Sequence, residues 1–260
     1  MRQIKLEKIL LHILNKTKPL CGWAPVLVKI TGKSQEAIHP KHLIKVEDLW
    51  FKSCLNKNMK ILDIGSGNGQ LTLKTSRHCK EIIGIEINKK QLKMAQNEQK
   101  RLKFFNVKFK KANAEKRLDF ADSSFDAIIF LDVLEHLKNR RQILIECKRI
   151  LKKEGRMFIS VPNKETSWKK RLKKAGLFYY ANPDHKIEYS ISTITKELKK
   201  GGFAILDIRP IIYDTPFIGF IDLIGGLSLK LYTKITFWRI SRVGKQPEES
   251  TGFRIVCKPI

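Results

Sequence analysis

The sequence predicts an α/β protein: a doubly wound, mostly parallel sheet with helices on both faces. Three observations carry that expectation. From residue 60 onward, short apolar runs alternate with stretches of helical period, the grammar of parallel strands joined by crossover helices. The first run enters a turn with glycines at alternate positions, Ile61-Leu62-Asp63-Ile64-Gly65-Ser66-Gly67-Asn68-Gly69. After a helix that stops at Gly201-Gly202, two further apolar runs (203–211 and 253–260) supply the last strands of the sheet.

In chain order, residues 3–15 carry Ile4, Leu6, Ile9, Leu10, Ile13 and Leu14 at amphipathic-helix spacing. Pro19, Gly22, Pro25, Gly32 and Pro40 then break the pattern. It restarts over 39–55 through Leu43, Val46, Leu49, Trp50 and Leu55. Strands are expected near 60–64, 81–87, 107–114, 125–133 and 155–163, with helices at 69–79, 88–101 and 139–152 between them. Ser192 or Thr193 suits the N-cap of the helix before Gly201. Residues 213–247 form an apolar, glycine-containing insertion. Asp214, Pro216 and Asp222 interrupt it, so it lacks the ~20-residue apolar span of a membrane helix. This divides the chain into an N-terminal helical cap or lid (1–55), a core (56–210), and the insertion with a final strand that completes the core (211–260).

The 260 residues suffice for one α/β domain with decorations, and 42% hydrophobic with 30% charged residues is a globular composition. Five scattered cysteines without metal-ligand spacing fit free thiols in a reducing compartment. No apolar signal core opens the sequence, so a cytoplasmic protein is expected. A formal net charge of +27 draws polyanions, whether an anionic membrane's inner face or nucleic acid. The lysines are spread along the whole length, which equally suits solvated helix faces.

The glycine-rich turn belongs at the carboxyl end of the first strand, where open α/β sheets bind ligands. A dinucleotide fingerprint would read GxGxxG, whereas here the third glycine arrives one residue early, at Gly69. Asp63 before the loop favours a ligand with a cationic amino group over a pyrophosphate. These residues resemble the first motif of the class I S-adenosylmethionine-dependent methyltransferases. Ile82-Ile83-Gly84-Ile85-Glu86-Ile87-Asn88 follows at the distance that family uses, and residues 110–137 resemble its third- and fourth-strand motifs, ending in Val133-Leu134-Glu135-His136-Leu137. The resemblance spans roughly 45–210 and points to the small-molecule methyltransferases that carry this vLEHl sequence.

Membership would imply a Rossmann-like, seven-stranded sheet whose last strand is antiparallel, with S-adenosylmethionine as cofactor and S-adenosylhomocysteine as product. The residues implied at the cofactor are Asp63, Gly65, Ser66, Gly67, Gly69, Glu86, Ile87, Asn113, Ala114 and Leu131. Glu86 would accept hydrogen bonds from both ribose hydroxyls. Asn113 stands where the family usually has an Asp beside the adenine amine, and its amide carbonyl retains the acceptor.

Candidate catalytic groups are Asp132, His136 and His185. Asp132, Glu135 and His136 fit one helical turn, and such a set can abstract a proton, bind a divalent cation, or merely cap a helix. No metal is assigned to them. His185 lies in a loop resembling one near the acceptor of small-molecule methyltransferases; His39 and His42 suit a lid. The Asn/Asp-Pro-Pro-aromatic signature of nucleobase amino methylation is absent after strand four, as is a cysteine for base C5 methylation. The expected acceptor is therefore a small or lipid- or glycan-linked molecule, with a peripheral membrane contact. The alternatives are an RNA methyltransferase and a non-catalytic cofactor-binding subunit.

Overall fold

The computed structural model describes residues 2–44 and 49–260, with side chains from Lys8 onward in the first helix. It contains a seven-stranded sheet: β1 (Lys60–Ile64), β2 (Glu81–Glu86), β3 (Val107–Lys111), β4 (Phe125–Leu131), β5 (Leu151–Pro162), β6 (Phe203–Pro210) and β7 (Gly252–Pro259), in the order 3-2-1-4-5-7-6. β1–β2, β2–β3, β1–β4 and β4–β5 pair in parallel, and β7 is antiparallel. Both expectations for the sheet are met. Continuous apolar runs form these strands because both faces are buried. Leu62, Ile64, Ile83, Ile85, Ile128, Phe130 and Ile159 enter the core on one face, while Ile61, Ile82, Ala127, Ile129 and Phe158 enter that on the other. Each of the Leu, Ile and Phe side chains among them contributes about 1.5–3 kcal/mol by leaving water.

The helices are α1 (Arg2–Asn15), α2 (Ala24–Ile30), α3 (Gln70–Ser76), α4 (Lys89–Arg101), α5 (Arg140–Ile150), α6 (Ser167–Lys174), α7 (Ile191–Lys200), α8 (Ile218–Leu227) and α9 (Leu229–Lys245). Asn88 caps α4 through the Lys90 and Gln91 amides. The N-cap of α7 is Ser190, not Ser192 or Thr193. Its hydroxyl accepts from the Thr193 amide, and the Thr193 hydroxyl accepts from the Ser190 amide, a reciprocal box that fixes the helix start. The helix expected over 39–55 reduces, among its described residues, to two single 3-10 turns, Pro40–His42 and Lys52–Cys54. Pro40 sits at the start of the first, and Val46 lies outside the described residues.

The chain divides into two compact units. One, residues 48–162, 182–209 and 253–260, contains the sheet. The other joins 1–47, 163–181 and 210–252 and is helical. In the helical unit α8 lies against α2 and the preceding 3-10 turn because its glycines leave room. A Cβ on Gly219 would meet the Thr17 carbonyl oxygen at 2.1 Å, and one on Gly226 would meet Leu27 at 2.5 Å. Buried Asp222 accepts from the Tyr232 hydroxyl (3.2 Å) and lies 3.3 Å from His39 Nε2. His39 thus joins its unit's interior, while His42 is exposed. Among the described residues no helix is long and apolar enough to cross a membrane, and all five cysteines are free thiols.

Candidate active site

The loop after β1 is shaped by glycines at positive φ. Gly65 (φ +76°) presses on the turn after β4, where a Cβ would come within 2.4 Å of Val133 Cγ2. Gly67 (φ +53°) instead faces open space, so the constraint there is backbone conformation alone. The Gly67 amide donates to Glu86 Oε2 at 3.0 Å, and the Asn88 amide donates to Oε1 at 2.8 Å. Glu86 therefore ties the loop to the end of β2, and each oxygen keeps a lone pair. Ile87 beside it is 57% exposed, an apolar wall at a strand's carboxyl end. Ala112 and Ala114 pack against the core beyond β3, and Asn113 Oδ1 accepts from the Glu115 amide, leaving its second lone pair.

Asp63 lies beneath this loop, not open on it. It is buried, the Thr72 hydroxyl donates to Oδ2 at 2.5 Å, and burial pushes its carboxyl up to about 6. Ser66 Oγ is buried without a partner, an unsatisfied group at the loop itself. A glycine loop with open space over Gly67, a carboxylate with spare lone pairs, an apolar wall and an orphaned hydroxyl together fit an adenosyl ligand with a polar tail.

The second cluster starts where β4 ends. Asp132, at φ +55°, is a strained position for a residue with a side chain. It is held by the Ser160 hydroxyl donating to Oδ1 (2.6 Å) and by its own amide donating to the Ser160 carbonyl. Leu134–His136 is a 3-10 turn, not the α-helical turn expected. Asp132 still acts electrostatically on both Glu135 and His136, and a histidine from a distant loop joins that pair. The set that converges is Glu135, His136 and His185, whose ligand-type atoms lie within 4.8 Å of one another. The Lys186 and Ile187 amides donate to the Glu135 carbonyl and bring the 182–190 loop onto the turn.

Within this set, His185 Nδ1 lies 2.9 Å from Glu188 Oε1, and His185 Nε2 lies 3.9 Å from Glu135 Oε1. With Glu188 ionised, Nδ1 carries the proton and Nε2 is the acceptor. Its ring meets that of His136 edge-on at 4.7 Å. Burial, then the neighbouring His185, lowers the His136 imidazole below its ordinary range. Glu135 is buried with Oε2 unpartnered; burial first, then Asp132, pushes it up to about 8, so it is a neutral acid at pH 7. Glu188 was missed by sequence reasoning. Its only signal is the i, i+3 spacing to His185, which reads as ordinary loop polarity.

A family model described as a methyltransferase domain matches residues 55–209. Over 150 residues the chain is 31% identical to the ubiquinone biosynthesis O-methyltransferase of Pelagibacter ubique, covering 58% of each chain. It is 37% identical over 102 residues to the demethylmenaquinone methyltransferase of Thermotoga maritima, covering 38% of this chain and 42% of that one. It thus spans well under two thirds of these relatives' lengths. Among solved structures, a S-adenosylmethionine-dependent methyltransferase from Methanosarcina mazei superposes with a TM-score of 0.56 at 19% identity, covering 81% of this chain and 96% of that one. The [4+2]-cyclase SpnF superposes at 0.58 with 18% identity, covering 79% and 77%. The shared fold alone therefore does not dictate methyl transfer. The chain belongs to the class I S-adenosylmethionine-dependent methyltransferase family, and S-adenosylmethionine is its cofactor.

Proposed function

We propose that this protein transfers the methyl group of S-adenosylmethionine to a hydroxyl of a small, lipid-linked acceptor, with His185 as general base. The observation that carries the reading is the His185–Glu188 pair, 2.9 Å apart and set against a neutral Glu135. The names of the curated relatives, which act in ubiquinone and menaquinone synthesis, support the acceptor class.

In this account Glu86 accepts the ribose hydroxyls, the Gly65–Gly69 loop and Ser66 take the amino-acid end, and Asp63 supports the loop through Thr72. Ile87, Asn113, Ala114 and Leu131 border the adenine. The bound cofactor supplies an electrophilic methyl on a sulfonium. His185 Nε2 accepts the acceptor's hydroxyl proton as the oxygen attacks in line, and Glu188 stabilises the imidazolium that forms. Protonated Glu135 donates a hydrogen bond to the acceptor, and Asp132 positions the turn that carries it. His136 fixes the ring of His185 by edge contact.

The converging Glu135, His136 and His185 favour a second reading, in which they hold a divalent cation that the acceptor oxygen meets. Assay with labelled cofactor and an organic extract of cells separates the readings. The general-base account predicts activity that survives chelation and falls about 10²–10⁴-fold in His185→Ala at unchanged cofactor affinity. Loss on chelation, restored by a divalent ion, would replace it with the second reading.

A further inference from the structure

Helix α8 has the amphipathicity of a water-facing helix reversed. Its buried positions are Gly219, Ile221, Asp222, Gly225 and Gly226, the three glycines packed on Thr17, Pro40 and Leu27. Its opposite stripe is large and apolar: Phe217, just before the helix, Phe220 and Leu227 are exposed, with half-buried Ile224 between them. In helical spacing these four fall on one face, and a helix settled in water would place them inward. Its one charged residue, Asp222, is buried.

The neighbouring helices repeat the pattern. At α2, Trp23 just before the helix, Val26 and Ile30 are exposed while Ala24 and Val28 are buried. On α9, Tyr232, Thr236, Arg239 and Val243 are buried, and Leu231, Phe237 and Trp238 face out. The charged residues exposed on these helices are cationic, among them Lys29 on α2, with Lys33 shortly after it, and Lys230, Lys234 and Lys245 on α9. Neither α2 nor α9 contains an acidic residue.

We propose that the outward apolar residues of these helices dock on the surface of an anionic lipid bilayer. Phe217, Phe220 and Leu227 enter the headgroup–acyl boundary, Trp23 and Trp238 sit at its edge, and the lysines meet lipid phosphates. No described helix can span a bilayer, so the attachment is peripheral. Charge selects this occupant over a second copy of the chain, because symmetric pairing would set one group of lysines against another. Over nucleic acid it is favoured by the aliphatic Val26, Ile30 and Leu227 among the aromatics, which bases cannot stack on and which an acyl boundary takes out of water. The proposal is independent of the acceptor reading, since it involves none of the residues assigned to the site.

Flotation of the full chain with phosphatidylcholine vesicles, with and without phosphatidylglycerol, tests it. Two variants accompany the wild type: Phe217→Gln/Phe220→Gln/Leu227→Gln, and Lys230→Glu/Lys234→Glu on the outer face of α9. Far-UV circular dichroism and the thermal shift on adding S-adenosylmethionine report folding and an intact cofactor site in each. The wild type is expected to float with the anionic vesicles alone and to release as salt is raised. Each variant should lower the bound fraction by about tenfold or more. Failure to float, flotation equal on neutral vesicles, or variants that float like the wild type would overturn the proposal. So would a wild-type dimer that the apolar variant dissociates without any effect on vesicles, or RNA retention lost in place of flotation. Should the apolar variant misfold, the lysine variant carries the same test.

Discussion

Glu135 gives the site a measurable pH signature. Its carboxyl sits near 8 in the folded chain against about 4.5 when unfolded. Between those values the folded chain holds a proton that the unfolded chain has released, so this residue's contribution to stability falls as pH rises through the window. Glu135→Gln keeps a neutral side chain at every pH. Its melting temperature relative to wild type should therefore be higher at pH 9 than at pH 5, measured by thermal denaturation across that range. A difference independent of pH would mean that Glu135 is ionised at neutral pH. Glu188 is tested through its partner. Glu188→Gln leaves the hydrogen bond's geometry but removes the charge opposite the imidazolium, and kcat should fall about 10–100-fold with cofactor affinity unchanged. The glycine loop and the carboxylate that ties it to β2 were legible in sequence because both are local patterns. Glu188 could not, since its role depends on the loop folding back onto the Glu135 carbonyl.

Among the elements, the loop after β1 and the cap of α7 bear the clearest consequences. Gly65→Ala would set a Cβ 2.4 Å from Val133 Cγ2 at a φ of +76°. The expected cost is about 1–3 kcal/mol in denaturant unfolding, since both the clash and the backbone conformation oppose a side chain. Ser190→Ala removes the acceptor of the Thr193 amide and should cost about 1 kcal/mol. Strands were legible because alternate residues of continuous apolar runs, such as Ile61 and Leu62, serve opposite faces of a buried sheet. The turn at 134–136 was not. Its residues favour a helix, but the tertiary bonds of Asp132 to Ser160 and of Glu135 to the 186–187 amides hold it as 3-10. Among the described residues of 39–55 the helical spacing likewise gives way to Pro40 and single 3-10 turns.

At the scale of the whole molecule, sheet order, glycine loop and family membership agree on the donor, while the acceptor rests on His185 and its neighbours. The reversed face of α8 was invisible to hydropathy alone, because an apolar run with glycines reads equally as a packed core. The placement of Gly219, Gly225 and Gly226 inward reveals that Phe217, Phe220 and Leu227 face out. The reaction proposed is methyl transfer to a small, lipid-linked hydroxyl. The most direct measurement incubates the full chain with S-adenosylmethionine labelled in its methyl group and with fractionated cell extract, beside His185→Ala. Label should enter an alkali-stable ether in the organic-soluble fraction with the wild type and be nearly absent with the variant. Label in RNA, or equal labelling by both proteins, would contradict it.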